Sequence, residues 1–267
     1  MPFTPSHAIV ALPFLRTPLV PAAIAVGAMT PDLPLFVRGT VLGTVIDYGW
    51  THDLRWMPVT ALLALGLLVL WRLLLRPAAR ELVPPVLARR LPAEWDAATS
   101  VREMVTRGGA IPPLRGILIL ALSLLIGVAS HIAWDAFSHE GRTGVALLPV
   151  LDEQWGPFVG YRWVQHGSSA VGLVVFVVCG MLWLRHATVT ARRRVTTPAL
   201  PWLWLAALAA ALAVAWLIGL VLLGPLTPTF TAAHLAYRVL PPACGVWGAF
   251  TVALCIAVRV RRRRARS

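Results

Sequence analysis

Five stretches of this chain are too long and too apolar to settle in water. Residues 57–75, 114–137, 168–185, 199–223 and 243–260 each approach the ~20 predominantly apolar residues that a helix needs to cross a bilayer. A helix satisfies its backbone polar groups internally, which lipid cannot do for it, so these runs predict transmembrane helices. The fold expected is therefore an all-α, polytopic membrane helix bundle with about five full spans. Composition supports it: 58% of the 267 residues are hydrophobic and 13% charged, against roughly a quarter charged in a soluble domain.

All 24 basic residues are arginine, and the net charge is +13. The arginines cluster at the ends of apolar runs, which is the pattern of a membrane protein rather than of a nucleic-acid binder. Loop 76–115 carries Arg76, Arg80, Arg89, Arg90, Arg102, Arg107 and Arg115; the turn 185–198 carries Arg185 and Arg192 to Arg194; the tail ends "RVRRRRARS". These alternate connections are expected in the cytoplasm, with the C-terminus, which leaves 138–167, 224–242 and the segment before 57 on the outer side. The three cysteines, Cys179, Cys244 and Cys255, lie in apolar segments and show neither a disulfide framework nor a zinc-finger spacing.

The first 56 residues are harder to place. "PLVPAAIAVGAM" is only twelve residues long, and Pro13, Pro18 and Pro21 break the run before it. If 8–29 crossed, His7 and Asp32 would lie on opposite sides. If they form a broken or re-entrant helical segment, both face outward. The prolines favour the second arrangement. With no basic flank and with Arg16 interrupting it, the N-terminus does not read as a cleavable signal peptide.

Chemistry concentrates in "ASHIAWDAFSHE", residues 129–140, at the outer end of the second span. His131, Asp135 and His139 fall at i, i+4 and i+8 on one helical face, so His131 with Asp135, or Asp135 with His139, can chelate a metal. His131 and His139 would be about 12 Å apart along the axis, which requires two ions or one ion with a supporting partner. An aspartate at membrane depth costs ~2.5–3.5 kcal/mol and so faces protein or water. On the same side "TPDLP" presents Asp32 in a stiff turn, "GWTHDL" presents His52 and Asp53, and "TPSHA" presents His7 beside the candidate caps Thr4 and Ser6.

"MPFTPSHA", "GAMTPDLP", "TH" at 51–52, "SHIAWDAFSH" and "WVQHGSSAVGL" resemble, in order from residue 1 to about 185, the bacterial membrane family catalogued as domain of unknown function 4184. That family in turn is similar to inner-membrane proteins called metal-dependent hydrolases. The resemblance implies metal ligation by His7, Asp32, His52, His131, Asp135 and His139. With no internal repeat and no low-complexity tract beyond the basic tail, the chain reads as a single integral membrane domain over 1–267, in which 1–185 is the family-like region with the site and 186–267 adds two spans and a basic tail. Asp53 stands where the relatives usually have a serine, which leaves it open as ligand, general base or neither. "QHGSS" recurs in the family; Gln165, Ser168 and Ser169 sit where the next span begins, either as caps or with helix amides that could hold a phosphate. Arg142 could meet the same anion.

The function expected is metal-dependent hydrolysis at the outer face of the bacterial inner membrane. A divalent ion, Zn²⁺ on this His/Asp mixture, would activate water, with Asp53 or Asp135 taking the proton. Membrane lipids are the expected partners and a lipid phosphoester or lipid-linked intermediate the expected substrate, with no role for nucleic acid. An ion- or proton-coupled transporter and a non-catalytic scaffold holding a structural metal are the alternatives.

Overall fold

Proline spacing decides how the chain begins. In the computed structural model, which describes residues 4–106, 109–191 and 194–265, a 3-10 helix, Thr4–Phe14, runs towards Pro18 and is followed by helix α1, Pro21–Met29. Pro21 opens α1, where a missing N–H costs nothing. Nine residues make a helix of about 14 Å, less than half of the ~30 Å hydrocarbon thickness, so α1 does not span. The chain turns back instead. Thr4 Oγ1 donates to Asp32 Oδ2 at 2.6 Å, which closes the segment into a re-entrant hairpin. Its tip is fixed where the Val20 amide donates to Ser123 Oγ at 3.0 Å.

Five further helices are long and apolar enough to span: α2, Leu54–Leu82; α3, Pro113–Ser138; α4, Gly160–His186; α5, Leu200–Leu223; and α6, Ala232–Arg264. The expected spans are thus present, but α4 starts eight residues early and α6 eleven. The α4 extension is rich in polar and aromatic residues, and the α6 extension holds His234, Arg238 and two prolines, so hydropathy alone does not announce them. In α6 the helix also continues through Pro241 and Pro242, which a sequence rule treats as a stop and a membrane helix tolerates. The stretch 93–106 forms two short pieces, a 3-10 turn Ala93–Asp96 and a helix Val101–Thr106.

The described residues fall into two compact units. One comprises Met1–Leu33, Asp47–Val69 and Ser100–Arg185; the other comprises Pro34–Ile46, Leu70–Thr99 and His186–Ser267. The first is organised by the crossing of α1 and α3. Gly27 and Gly127 meet there: a Cβ on Gly27 would lie 2.5 Å from Leu124 O, and one on Gly127 would lie 2.3 Å from Ile24 O. Ala23, Ile24, Ala28, Leu124 and Val128 close around the contact and are buried. Lipid gives apolar helices no hydrophobic reason to associate, so small residues that let backbones touch supply the packing. His131 lies one turn beyond Gly127.

The second unit is organised by ion pairs. Glu81, fully buried, accepts from Thr196 Oγ1 at 2.6 Å and from the Val195 amide at 3.2 Å, and lies 3.5 Å from the Arg262 guanidinium. Arg80, also buried, donates to Asp96 at 2.7 Å and to Ala88 O at 2.9 Å. Arginines that read in sequence only as flanking charge therefore build the core of this unit. Arg107, Arg192 and Arg193 lie outside the described residues.

Gly127→Ala should force the hairpin off α3 and lower the unfolding temperature in detergent, consistent with an overpacking cost of ~1–3 kcal/mol. Gly66→Ala, where an added Cβ meets nothing within 4 Å, should leave it unchanged or raise it.

Candidate metal centre

Each candidate side chain is aimed by a neighbour of its own. Asp32 ends a 3-10 turn, Thr30–Asp32, in which Pro31 fixes the backbone; Thr4 holds its Oδ2, so Oδ1 points inward. His52 caps the short helix Tyr48–Thr51. Its Nδ1 lies 3.0 Å from Tyr48 O, and its ring stacks on Tyr48 with centroids 3.8 Å apart. Thr51, fully buried, donates to Pro31 O at 2.9 Å and so ties the His52 turn to the Asp32 turn. On α3, His131 Nδ1 lies 2.7 Å from Ala28 O.

These contacts set the tautomers. A carbonyl oxygen only accepts, so Nδ1 carries the proton in both His131 and His52. The neutral rings then present bare Nε2 lone pairs, and these face each other at 3.2 Å. Such an arrangement requires a cation or a proton between them. Carboxylates surround the same point. Asp32 Oδ1 is 3.8 Å from His131 Nε2 and 3.9 Å from His52 Nε2; Asp135 Oδ2 is 3.4 Å and 3.5 Å from the same atoms. Ligand atoms around a tetrahedral Zn²⁺ with bonds of ~2.0–2.1 Å are about 3.3 Å apart. The spacings bracket that value.

The unpaired atoms point the same way. Asp32 Oδ1, both carboxylate oxygens of Asp135 and His7 Nε2 are buried without a hydrogen-bond partner among the described residues. A buried group left in that state costs ~1–3 kcal/mol, and here four such atoms converge. The donor set fits a divalent cation in two overlapping triads, Asp32–His52–His131 and His7–His131–Asp135, with ligand atoms in each within 4.8 Å of one another. Both triads draw on the single free nitrogen of His131, so they compete for one ion rather than hold two with full shells. A three-residue triad leaves coordination positions open, as catalytic sites do.

Of the residues expected here, His7, Asp32, His52, His131 and Asp135 come together. His7 stacks on His131 with centroids 4.1 Å apart and lies 3.9 Å from Asp135 Oδ1. His139 sits at the edge. Helix α3 ends at Ser138, and His139 caps it with an extended backbone at φ −134°. Its Nδ1 approaches Asp135 Oδ2 at 3.6 Å, while Nε2 is 3.1 Å from Gln165 Nε2. The Asp135–His139 approach is the one expected from their i, i+4 spacing.

The remaining candidates do not join the ligand cluster itself. Asp53 starts the turn Leu54–Trp56 and is bound by Arg55, whose NH2 donates to Oδ2 at 2.8 Å and whose amide donates to Oδ1 at 2.8 Å. The Arg55 side chain holds that carboxyl below the usual range. Ser168 and Ser169 are inside α4, not at its start, and donate back to Gln165 O at 3.2 and 2.8 Å; their amides are not the exposed ones of a helix terminus, so neither the cap nor the phosphate-cradle expectation has its geometric basis. Arg142 precedes the helix Thr143–Leu147, with its guanidinium 6.0 Å from the Tyr48 ring centroid. Tyr48 and Ala28 act through their carbonyls, which no residue type announces. Thr51 had one signal, its place directly before His52.

Thr4→Ala should free Asp32 and weaken divalent-metal affinity about 10–100-fold, as loss of a ligand-orienting partner generally does; isothermal titration of metal-free protein with Zn²⁺ measures this. Thr4→Ser should restore it.

The family model for "Domain of unknown function (DUF4184)" matches residues 1–258, past the 185 at which the motif resemblance fades and through both last spans. Comparison with curated proteins and with solved structures gave no match. By a match over nearly its whole length, with the His and Asp motifs inside it, the chain belongs to the DUF4184 family.

Proposed function

We propose that this protein is a membrane-embedded, metal-dependent hydrolase acting on a lipid phosphoester. The observation that carries the reading is the pair of Nε2 lone pairs facing at 3.2 Å with two carboxylates beside them. Asp32, His52 and His131 would hold the ion, with Zn²⁺ the best match for two imidazoles and a carboxylate. When bound, such an ion lowers the pKa of water towards ~7 and polarises a phosphoryl oxygen.

The chain supplies the rest. Asp135, one turn from His131, has both oxygens free of hydrogen bonds and is placed to take a proton from a nucleophilic water. His7 and His139 flank it at 3.9 and 3.6 Å and would stabilise the carboxylate. Asp53 is the poorer base because Arg55 occupies it. Burial of the cluster keeps bulk water from the reacting groups. Open coordination positions favour catalysis over a structural pin. The arginine distribution supports a cytoplasmic C-terminus and a site facing outward across the inner membrane.

The test is hydrolysis of a short-chain phospholipid by detergent-purified protein with its metal content measured alongside. His131→Ala should lose both metal and turnover. Asp135→Asn should lose turnover by ~10²–10⁴-fold and keep a bound ion. Wild-type hydrolysis by His131→Ala would rule the reading out.

A further inference from the structure

Two recesses border the cluster. One, of about 610 Å³, lies among the 3-10 helix Thr4–Phe14, α3 and α4; Val10, Trp134, Trp163 and Val171 form its apolar wall, and His7 also lines it. The other, of about 490 Å³, has His52, Asp53, Asp135 and Arg142 on its wall beside apolar residues such as Leu54 and Ile132. Members of the cluster thus contribute to both walls: His7 to the first, His52 and Asp135 to the second. Both volumes lie in the range of built ligand sites.

The geometry points to a glycerophospholipid bound across the centre, with an acyl chain in the first recess and its headgroup in the second. This rests on the hydrolase reading and names the part of the substrate that each side of the site takes. One wall of the first recess belongs to α4, a span with only 6% of its apolar window buried; Val171 and Trp163 on that helix are exposed, so the recess opens sideways into hydrocarbon rather than towards water. At its edge Trp134 Nε1 donates to Ser168 Oγ at 3.1 Å, giving α3 and α4 a polar tie where a chain would bend towards the cluster. The recess is also held open. A Cβ on Gly172 would meet Ser6 Cβ at 2.8 Å, so α4 and the hairpin touch at that point, whereas a Cβ on Gly167 would meet nothing within 4 Å. The second recess offers Arg142, a fork of donors suited to a phosphate or to an anionic headgroup.

Full-length protein in nanodiscs containing phosphatidylglycerol with a diazirine on one acyl chain tests this by photo-crosslinking and peptide mapping, with metal content measured on the same samples. Crosslinks are expected to concentrate in residues 6–10 and 163–172. Gly167→Phe should reduce them at least about tenfold while metal content stays at the wild-type level, which also reports that the variant is folded; Val171→Trp should do the same. Crosslinks spread evenly around α4 and unaffected by either variant would overturn the proposal, as would labelling that leaves residues 6–10 and 163–172 untouched. Metal bound with such even crosslinking removes the lipid site alone; crosslinks in the recess of a protein that binds no metal remove the hydrolase reading instead.

Discussion

Two imidazole Nε2 atoms that face each other at 3.2 Å, and so need a cation or a proton between them, are the constraint on which this site depends. Neither ring can turn away: Ala28 O holds one Nδ1 and Tyr48 O the other. Backbone carbonyls are unresponsive partners, because moving them means moving a helix. Around the pair, Asp32 and Asp135 bring negative charge into a buried space without enough hydrogen bonds to satisfy it. A polar arrangement of this kind is stable only when something positive completes it.

The re-entrant hairpin follows from that need. A chain that crossed the membrane directly would separate His7 from Asp32 by the thickness of the hydrocarbon. By entering as a 3-10 helix and returning as α1, it puts both beside the C-terminal part of α3. The Gly27–Gly127 contact makes the return close enough for Ala28 to reach His131. Packing and chemistry share the same helix face, one turn apart. Substitutions made for stability at Gly127 are therefore also substitutions near the site.

The sequence was most readable where physics leaves one option. Twenty apolar residues in lipid become a helix, so the five spans stand out. His7, Asp32, His52, His131 and Asp135 were visible because charged and imidazole groups are scarce in such a chain. Boundaries were less visible, since the first turns of α4 and α6 carry polar and aromatic residues that belong at an interface as easily as in a loop. The end of α3 at Ser138 left no mark, because neither glycine nor proline follows for two residues, although His139 still meets Asp135 as its spacing expects. Ser168 and Ser169 were read as a helix start because hydropathy rises there, although the hydrogen bonding starts eight residues earlier. The pairing of Glu81 with distant Arg262 is a contact across 181 residues, for which no local pattern exists. Nor does composition show that the described residues divide into two units.

Whether a metal ion sits between His52 and His131 is the central question, and X-ray absorption at the metal edge of the purified protein answers it most directly. The account predicts a first shell of nitrogen and oxygen at ~2.0–2.2 Å, outer-shell scattering from two imidazoles, and no sulfur, since Cys179, Cys244 and Cys255 take no part. Protein that retains no ion after addition of Zn²⁺ and removal of excess, or one whose shell contains sulfur or lacks imidazole, would contradict it.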